Sequence, residues 1–273
     1  MMKRIITLIL ALSLLVFASV ALTSCGERIE YDSAEKYTPG DWAQTVLITS
    51  IDIEWISGKV EILPHYYGYL AVSESSESAL SNDTTMHWYY DGETLRIKPG
   101  ASGVSKDSIP EKNLTVYVPV GYSFSDIDIV TSEAEVSVSE SGANFVDIKT
   151  GSGKVDLQLD GKSQEISVKT ISGEVTVSGS ASRRVNIETV SASASVYNTL
   201  TPDTTLMKSV SGNITYYLDG DEGFTLKYST GSGSFNNQFA ATEKNGEYIV
   251  GDGVGNINIE TISGNIKVNK KVK

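Results

Sequence analysis

The sequence predicts an all-β protein in which a single chain forms a parallel β-solenoid with an irregular β cap at its N-terminal end. The first observation is a motif close to Thr-x-Ser-Gly, which occurs seven times from residue 131 onward in a chain of 273 residues. Its fourth residue lies at positions 134, 153, 173, 192, 212, 233 and 264. Spacings near 20 residues are typical of stacked repeats, because each unit buries its apolar face only against its neighbours.

The second observation is the alternation of apolar and polar residues on both sides of the motif. Ile166 and Val168 precede the motif that ends at Gly173, and Val175 and Val177 follow it. Alternation with period two predicts strands that are buried on one face. The predicted interior includes Val168, Val175, Val177 and Ile187, and the predicted outer face includes Lys169, Glu174, Thr176 and Glu188.

The glycine of the motif is predicted to form the corner between two strands. Glycine tolerates the positive φ angles that sharp bends require, so we expect Gly173 to adopt one. Ala134 and Ala192 replace the glycine in two units, and their corners are expected to avoid positive φ. The alternative is an antiparallel meander with hairpin turns at the Ser-Gly pairs. The constant period favours the solenoid, because in-register stacking requires it.

Four segments are predicted along the chain. They are a leader at 1–24, a flexible tether at 25–45, the N-terminal β cap region at 46–123 and the solenoid repeats at 124–273. The cap region is rich in β patterns but less regular than the repeats, and Asp91-Gly92 within it is a hairpin turn signal. The last repeat ends in lysines such as Lys267, which we expect to protect an exposed sheet edge.

The N-terminus has the layout of a secretory signal. Lys3 and Arg4 precede a mostly apolar run from residue 5 to residue 21. The following Leu22-Thr23-Ser24-Cys25 resembles a bacterial lipobox, which implies cleavage before Cys25 and a diacylglycerol on its thiol. A plain signal peptide or a membrane-spanning anchor is the alternative, but Cys25 is the only cysteine and lies where a lipobox needs it. We therefore expect an extracytoplasmic protein that is anchored to a bacterial cell membrane through lipid on Cys25.

Charge and cysteine content exclude several classes of protein. The chain carries a net charge of −12, and removal of the leader with its two basic residues leaves 20 basic against 34 acidic side chains, a net of −14. Such a surface repels nucleic acid and anionic lipid head groups, so no nucleic-acid partner is expected. With one cysteine, an intrachain disulfide is impossible, and stability must come from the core.

The order of the segments resembles that of the bacterial "putative adhesin" family of uncharacterised envelope proteins. The resemblance is carried by the runs 51–62, 86–97 and 114–119, followed by the Thr-x-Ser-Gly units, and covers residues 46–268. It implies a right-handed β-solenoid displayed at the cell envelope, with a role in adhesion or surface interaction. The family offers no established enzymatic residues to transfer. Ala134 and Ala192 depart from its corner glycine.

The sequence offers little for catalysis or cofactor binding. His65 and His87 are the only histidines, and each is expected to be structural. Glycine-rich phosphate loops, HExxH and CxxC are absent from the sequence, so we expect no cofactor and no metal. The run Asp219-Gly220-Asp221-Glu222-Gly223 could offer oxygens to calcium, but it lacks a complete EF-hand loop. A tight acidic turn is the expected structure.

Paired carboxylates are the remaining candidates for an active site. Asp52 and Glu54, like Asp126 and Asp128, share one face of a predicted strand at a separation of about 6.6 Å. That separation overlaps the range of about 6.5–9.5 Å found in inverting glycosidases. Every acid-x-acid pair on a strand has this spacing, however, so a solvated outer face is the preferred interpretation.

Aromatic residues supply the best candidate for an interaction patch. Tyrosine and tryptophan anchor many protein interfaces, because they combine a large apolar surface with a polar group. Core packing is the competing explanation, since alternate members of the run 88–90 must point inward if it is a strand. The candidate patch comprises Tyr66, Tyr67, Tyr69, Trp88, Tyr89 and Tyr90.

Together these observations predict a lipid-anchored envelope protein without catalytic activity. Its expected role is adhesion or surface interaction with an envelope or surface protein or a glycan. One alternative is an envelope-stress sensor that binds another envelope protein, and a second is a β-helical carbohydrate-active enzyme. The enzyme would need acidic residues that converge in a groove, with at least one raised pKa.

Overall fold

The computed structural model describes residues 27–45, 48–218 and 223–270; the leader, Cys25 and most of the run 219–223 lie outside these ranges. The chain is all-β with a mostly parallel sheet, as the sequence predicted. Two 3-10 turns, Ala34–Lys36 and Lys106–Ser108, are its only helical elements within the described ranges. The strands are β1 Thr38–Pro39, β2 Trp42–Gln44, β3 Ser50–Trp55, β4 Gly58–His65, β5 Leu70–Ser75, β6 His87–Tyr90, β7 Thr94–Lys98, β8 Lys112–Pro119, β9 Ser123–Thr131, β10 Glu135–Thr150, β11 Val155–Thr170, β12 Val175–Thr189, β13 Ala194–Asn198, β14 Thr204–Ser209, β15 Ile214–Leu218, β16 Phe224–Thr230, β17 Phe235–Asn237, β18 Thr242–Lys244, β19 Glu247–Val250, β20 Gly255–Thr261 and β21 Ile266–Lys270.

The sequence repeat reappears as a repeat in strand pairing. Val168 of β11 lies between Ile148 of β10 and Ile187 of β12, in parallel register. Beyond the corner, Val175 pairs with Val155 on one side and Ala194 on the other. Each unit therefore contributes one strand to side A, before the motif, and one to side B, after it. The long strands β10, β11 and β12 run from side B to side A of the next unit, with register shifts where they cross.

The space between sides A and B is filled by β-branched and other apolar side chains. Val168, Val175, Val177 and Ile187 are each 0% exposed, which confirms the predicted register. The residues between them point outward, and Glu174 is exposed while Lys169 and Glu188 form an ion pair of 3.4 Å on the surface of side A. A shift of one residue would exchange the two faces, so the apolar pattern fixes the register.

The motif threonine closes each corner. In the unit at Gly173, the backbone N–H of Gly173 donates to the hydroxyl of Thr170 at 2.9 Å. Thr170 is 1% exposed, so this bond satisfies a buried hydroxyl and a buried amide together. The same bond recurs from Gly153 to Thr150 at 3.0 Å. The sequence interpretation had assigned the corner to serine and glycine and missed the threonine.

The expected positive φ at Gly173 is wrong. The glycines with positive φ in the described ranges lie elsewhere, and the corner glycine is required for close approach between units. A Cβ on Gly173 would lie 1.9 Å from the carbonyl oxygen of Gly153 in the unit beneath. At Ala134 and Ala192 the threonine hydroxyl instead donates to the alanine carbonyl, from Thr131 at 3.2 Å and from Thr189 at 2.9 Å. Corners with alanine thus use a different hydrogen bond.

At both ends of the parallel stack, the spatial order of the strands differs from their order in the sequence. Strands β3 and β4 lie between the later pair β7 and β8 and the following strands β9 and β10, so the boundary expected at residue 124 does not exist in the pairing. At the other end, β20 and β21 lie between β14 and β15 on one side and β16 and β17 on the other. Lys267 pairs with Asn236, and the expectation that it protects an open edge is wrong.

Antiparallel strands flank the stack at each end. Next to β7 lie β6 and β1, and next to β8 lie β5 and β2. At the other end, β18 and β19 form a hairpin that pairs with β16. The hairpin signal at Asp91-Gly92 is confirmed, because it joins the antiparallel strands β6 and β7. Asp91 accepts the backbone N–H of Thr94 at 2.8 Å, and Gly92 has φ of +100°.

The segment expected to be a flexible tether is held against the sheet over residues 27–45. Ile29 and Trp42 are each 2% exposed, and Ile29 donates its N–H to Val104 at 2.8 Å. Trp42 also pairs with Val72 through β2. Burial of two large apolar side chains orders this stretch, so the expectation of flexibility is wrong for it. No helix among the described residues is long and apolar enough to span a membrane.

Candidate binding surface

An exposed group of aromatic rings lies where β4 turns into β5. Strand β4 ends at His65, and the turn 66–69 carries three tyrosines before β5 begins at Leu70. Tyr66 is 96% exposed and Tyr67 is 65% exposed. Both side chains therefore project from the turn into solvent and not into the interior between sides A and B.

The rings are organised around the imidazole of His65. Its centroid lies 5.5 Å from Tyr67, 5.1 Å from Tyr69 and 6.0 Å from Tyr117. Tyr67 and Tyr69 stack at 5.6 Å with an interplanar angle of 22°. The His65 Nε2 is 2.7 Å from the Tyr69 carbonyl oxygen, which fixes the turn against the end of β4. We call His65, Tyr66, Tyr67, Tyr69 and Tyr117 the tyrosine cluster.

Tyr117 belongs to this surface although the sequence interpretation missed it. It lies on β8, pairs with Leu63 of β4 and Ala71 of β5, and is 37% exposed. Its outward phase is visible in the sequence, because Val116 and Val118 on either side are buried. Its proximity to His65 depends on strand pairing and cannot be inferred from alternation alone.

The other three predicted members of the patch lie elsewhere. Trp88 and Tyr90 face inward and pack around Trp42, with ring centroids at 6.2 Å and 6.3 Å from it. Tyr89 points to the opposite face of β6, where it meets Tyr37 at 5.6 Å. The predicted patch of six is therefore wrong as a single surface, because successive residues of a strand point to opposite sides.

A buried ion pair braces the strands that carry the tyrosine cluster. Lys112 on β8 and Glu74 on β5 lie 2.6 Å apart, with side chains 2% and 4% exposed. Lys112 Nζ also donates to the Thr84 carbonyl at 2.7 Å and lies 4.8 Å from the centroid of the Trp55 ring. Burial lowers the pKa of Lys112, while the hydrogen bond to Glu74 opposes that shift. This network ties β5 to β8 at the end opposite to Tyr117.

The predicted catalytic candidates take structural or solvated positions. His87 is 8% exposed, and its Nδ1 lies 3.1 Å from the Thr85 carbonyl oxygen. Glu54 forms an ion pair of 2.6 Å with Lys98, and Asp126 accepts a hydrogen bond from the Ser50 hydroxyl at 3.0 Å. Within the described ranges, no group of histidine, cysteine and acidic side chains could hold a metal ion.

Carboxylates do gather on the outer face of side A. Asp128 pairs with Asp52 of β3 on one side and with Asp147 of β10 on the other. Partial removal of the Asp128 carboxyl from water raises its pKa, and the neighbouring carboxylates of Asp147 and Asp52 raise it further. Lys149 acts in the opposite direction. Asp128 nevertheless stays exposed on an open strand face.

Comparison with known families identifies the family to which this fold and motif belong. The family described as Toastrack DUF4097 matches residues 48–269. The chain belongs to this family. The Toastrack match covers the parallel stack and the tyrosine cluster, and it supports the uncharacterised family that the sequence resemblance indicated.

Comparisons with individual proteins add less information than the family match. No curated protein matches this Toastrack chain. A solved structure from Clostridium sporogenes, titled a "putative cell adhesion protein", aligns with a TM-score of 0.39 and 14% identity. The alignment covers 86% of this chain and 100% of that chain.

Proposed function

We propose that this protein is a non-catalytic binding module at the bacterial cell envelope, and that the tyrosine cluster contacts its partner. The observation that carries the proposal is the exposure of Tyr66 and Tyr67, at 96% and 65%. An isolated exposed apolar residue needs no explanation, but adjoining exposed rings are characteristic of interaction sites. The partner is an envelope or surface protein or a glycan.

The construction of the tyrosine cluster suits recognition. Two of its rings, His65 and Tyr117, lie on the paired strands β4 and β8, and the hydrogen bond between His65 and Tyr69 holds the turn in place. Tyrosine loses little conformational freedom on binding and buries a large area, so rigid tyrosines make efficient contacts. Tyr67 and Tyr69 are already stacked, which leaves less ordering to be done when a partner binds.

The wider architecture supports the same role. We interpret the in-register pairing as a right-handed β-solenoid with units of about 20 residues, closed at its N-terminal end by β1, β2, β5 and β6 acting as a cap. The tyrosine cluster lies beside this cap, on β4, on β8 and in the turn that leads into β5. A lipid on Cys25 would attach many copies to one membrane, so weak single contacts would add up to strong multivalent binding.

Lipid attachment through Cys25 is part of the proposal. The chain without its leader carries a net charge of −14 and is repelled by anionic head groups. The lipobox-like Leu22-Thr23-Ser24-Cys25 supports anchoring through Cys25. The expected location is the outer side of a bacterial cell membrane.

The test presents many copies of the ectodomain, starting at Gly26, on beads that are incubated with cells of the source bacterium. Wild-type beads are expected to be retained, and beads that carry Tyr66→Ser, Tyr67→Ser and Tyr69→Ser together are expected to be lost. The matched control replaces Tyr197 and Tyr217, which stack at 4.4 Å on the outer face of side B, with serine. Pretreating the cells with protease or with glycosidases distinguishes a protein from a glycan partner. Equal retention of the cluster variant and the control would contradict the proposal.

A carbohydrate-active enzyme remains the second candidate, because Asp128 has a raised pKa among neighbouring carboxylates. A general acid needs such a shift, but it also needs a site that excludes water, and Asp128 lies on an open face. We therefore expect no turnover of envelope glycans by the purified ectodomain. Reproducible cleavage that Asp126→Asn and Asp128→Asn abolish would establish the enzyme instead.

A further inference from the structure

A cleft on the N-terminal part of the chain shares no lining residue with the tyrosine cluster. The segment 30–37 crosses the outer face of side A and borders this open cleft of about 490 Å³ together with β3, β6 and β7. Tyr31 holds the segment down, since its hydroxyl donates to the Gly100 carbonyl at 3.2 Å. The cleft is lined by Glu30, Tyr31, Asp32, Ser33, Tyr37, Asp52, Glu54, Tyr89, Asp91, Arg96 and Lys98. We call it the N-terminal cleft.

Three partly buried tyrosines form one wall of the N-terminal cleft. The ring centroids of Tyr31 and Tyr37 lie 4.5 Å apart, and those of Tyr37 and Tyr89 lie 5.6 Å apart, each pair tilted by 50°. The three rings contact one another in a row and form one continuous aromatic surface. One face of the Tyr89 ring already accepts an ammonium group of the chain, because Lys36 Nζ lies 5.6 Å from its centroid.

The remaining lining is acidic. Five carboxylates line the N-terminal cleft against two cationic side chains. Both cations are already matched, because Arg96 is paired with Asp91 and, at 4.0 Å, with Asp52, and Lys98 lies 2.6 Å from Glu54. Glu30 and Asp32 are exposed on the segment that covers the cleft. The surplus of negative charge opposes anionic ligands and favours cations.

We propose that the N-terminal cleft binds an organic ammonium group, held between the tyrosine faces and the surplus carboxylates. Ring faces carry negative electrostatic potential and attract a cation within about 6 Å of the centroid. A neutral sugar could stack on the tyrosine rings but would gain no attraction from the carboxylates. Desolvation and the Asp52 carboxylate raise the pKa of Tyr37 to about 12, so its phenol stays neutral at physiological pH.

The experiment titrates the lipidated full-length protein, solubilised in a maltoside detergent, with choline by isothermal titration calorimetry. The control ligand is 3,3-dimethylbutan-1-ol, which has the shape of choline without its charge. We expect choline to bind at least about threefold more tightly than this alcohol, the order of one solvent-exposed cation–π contact. N-acetyl-lysine amide tests whether the ammonium group belongs to a lysine side chain instead of a quaternary amine.

Variants assign the binding to the N-terminal cleft. Tyr89→Phe keeps the ring face and is expected to bind within about twofold of wild type, whereas Tyr89→Leu should weaken binding at least about fivefold. Asp32→Asn, which leaves the ion pairs of Arg96 and Lys98 intact, should also weaken it. Tyr217→Leu on side B is the matched control and should change nothing.

Two results would overturn the proposal. One is equal affinity for choline and its neutral isostere, or no binding of either ammonium compound up to about 50 mM. The other is the same loss of choline affinity in Tyr89→Phe as in Tyr89→Leu, or in Tyr217→Leu as in Tyr89→Leu. The tyrosine cluster takes no part in this titration, so the outcome is independent of the cell-retention test.

Discussion

Replacement of Gly173 by alanine tests why the corner of each unit requires glycine. A Cβ at this position would lie 1.9 Å from the Gly153 carbonyl oxygen, whereas carbon packs at about 3.5 Å from neighbouring heavy atoms. The two units must then separate locally by about 1.6 Å. The bond from Ser172 N to Gly151 O, at 3.0 Å, lies at the same corner and would be broken. Overpacking of about 1–3 kcal/mol and one lost hydrogen bond of about 1 kcal/mol give a loss of about 2–4 kcal/mol.

Urea unfolding of Gly173→Ala measures this loss, provided that the slope of free energy against urea concentration is unchanged. Ala192→Gly is the matched control in the same column of corners, and the extra backbone freedom of glycine should cost about 0.5–1 kcal/mol. Glu174→Ala, at the next and exposed position, should stay within about 0.5 kcal/mol of wild type. Equal losses for Gly173→Ala and Ala192→Gly would refute the close-approach explanation.

Four further outcomes are expected. Val175→Asp should prevent stable folding, as judged by circular dichroism, because it places an unpaired charge at a position that is 0% exposed. Lys112→Met should cost about 3–5 kcal/mol in urea by leaving the Glu74 carboxylate buried without a counter-charge, and adding Glu74→Met should recover part of the loss, since the Met86 N–H and the Thr85 hydroxyl then lose their acceptor. Folding raises the pKa of Asp128 above 3.8, so its charge opposes folding at neutral pH; Asp128→Asn should raise stability at pH 7, and the difference should vanish as the pH falls below 3.8. The Cys25→Ala variant should be lost from the membrane fraction or remain unprocessed. Intact-mass analysis of the wild-type protein should show acylation of Cys25, and an unmodified Cys25 would contradict anchoring.

The strand pattern was predictable because it is local. Alternation alone places Val168 and Val175 inside and Glu174 outside, since a strand offers only two faces. The motif spacing also indicates which residues become neighbours in the middle of the stack, as the pairing of Val168 with Ile187 shows. Both inferences depend only on period and phase, which a single sequence contains.

The order of units at the two ends was not predictable in the same way. Strands β3, β7 and β9 share the same alternation, and nothing in their phase states that β3 lies between the other two. The same ambiguity hid the position of β21 between β15 and β17, and with it the pairing of Lys267. Parallel strands of equal period are interchangeable in pattern, so their order is decided by connections and by packing of the whole stack.

The candidate surface was predictable only in part. The run 66–69 contains turn residues, and its three tyrosines are exposed in the structure. Tyr117 was missed because it joins His65 through the pairing of β4 with β8. The sequence predicted a flexible tether at 25–45 because the charged, aperiodic composition of this stretch conceals two isolated buried residues, Ile29 and Trp42.

Site-specific photo-crosslinking tests the central claim most directly. A benzophenone amino acid is incorporated at position 66 of the tyrosine cluster or, as the control, at position 217 on the outer face of side B. The protein is then expressed with its lipid anchor in the source bacterium and irradiated. If the tyrosine cluster contacts the partner, position 66 gives a discrete crosslinked envelope or surface partner and position 217 gives none. Crosslinks of equal yield from both positions, or from position 217 alone, would contradict it.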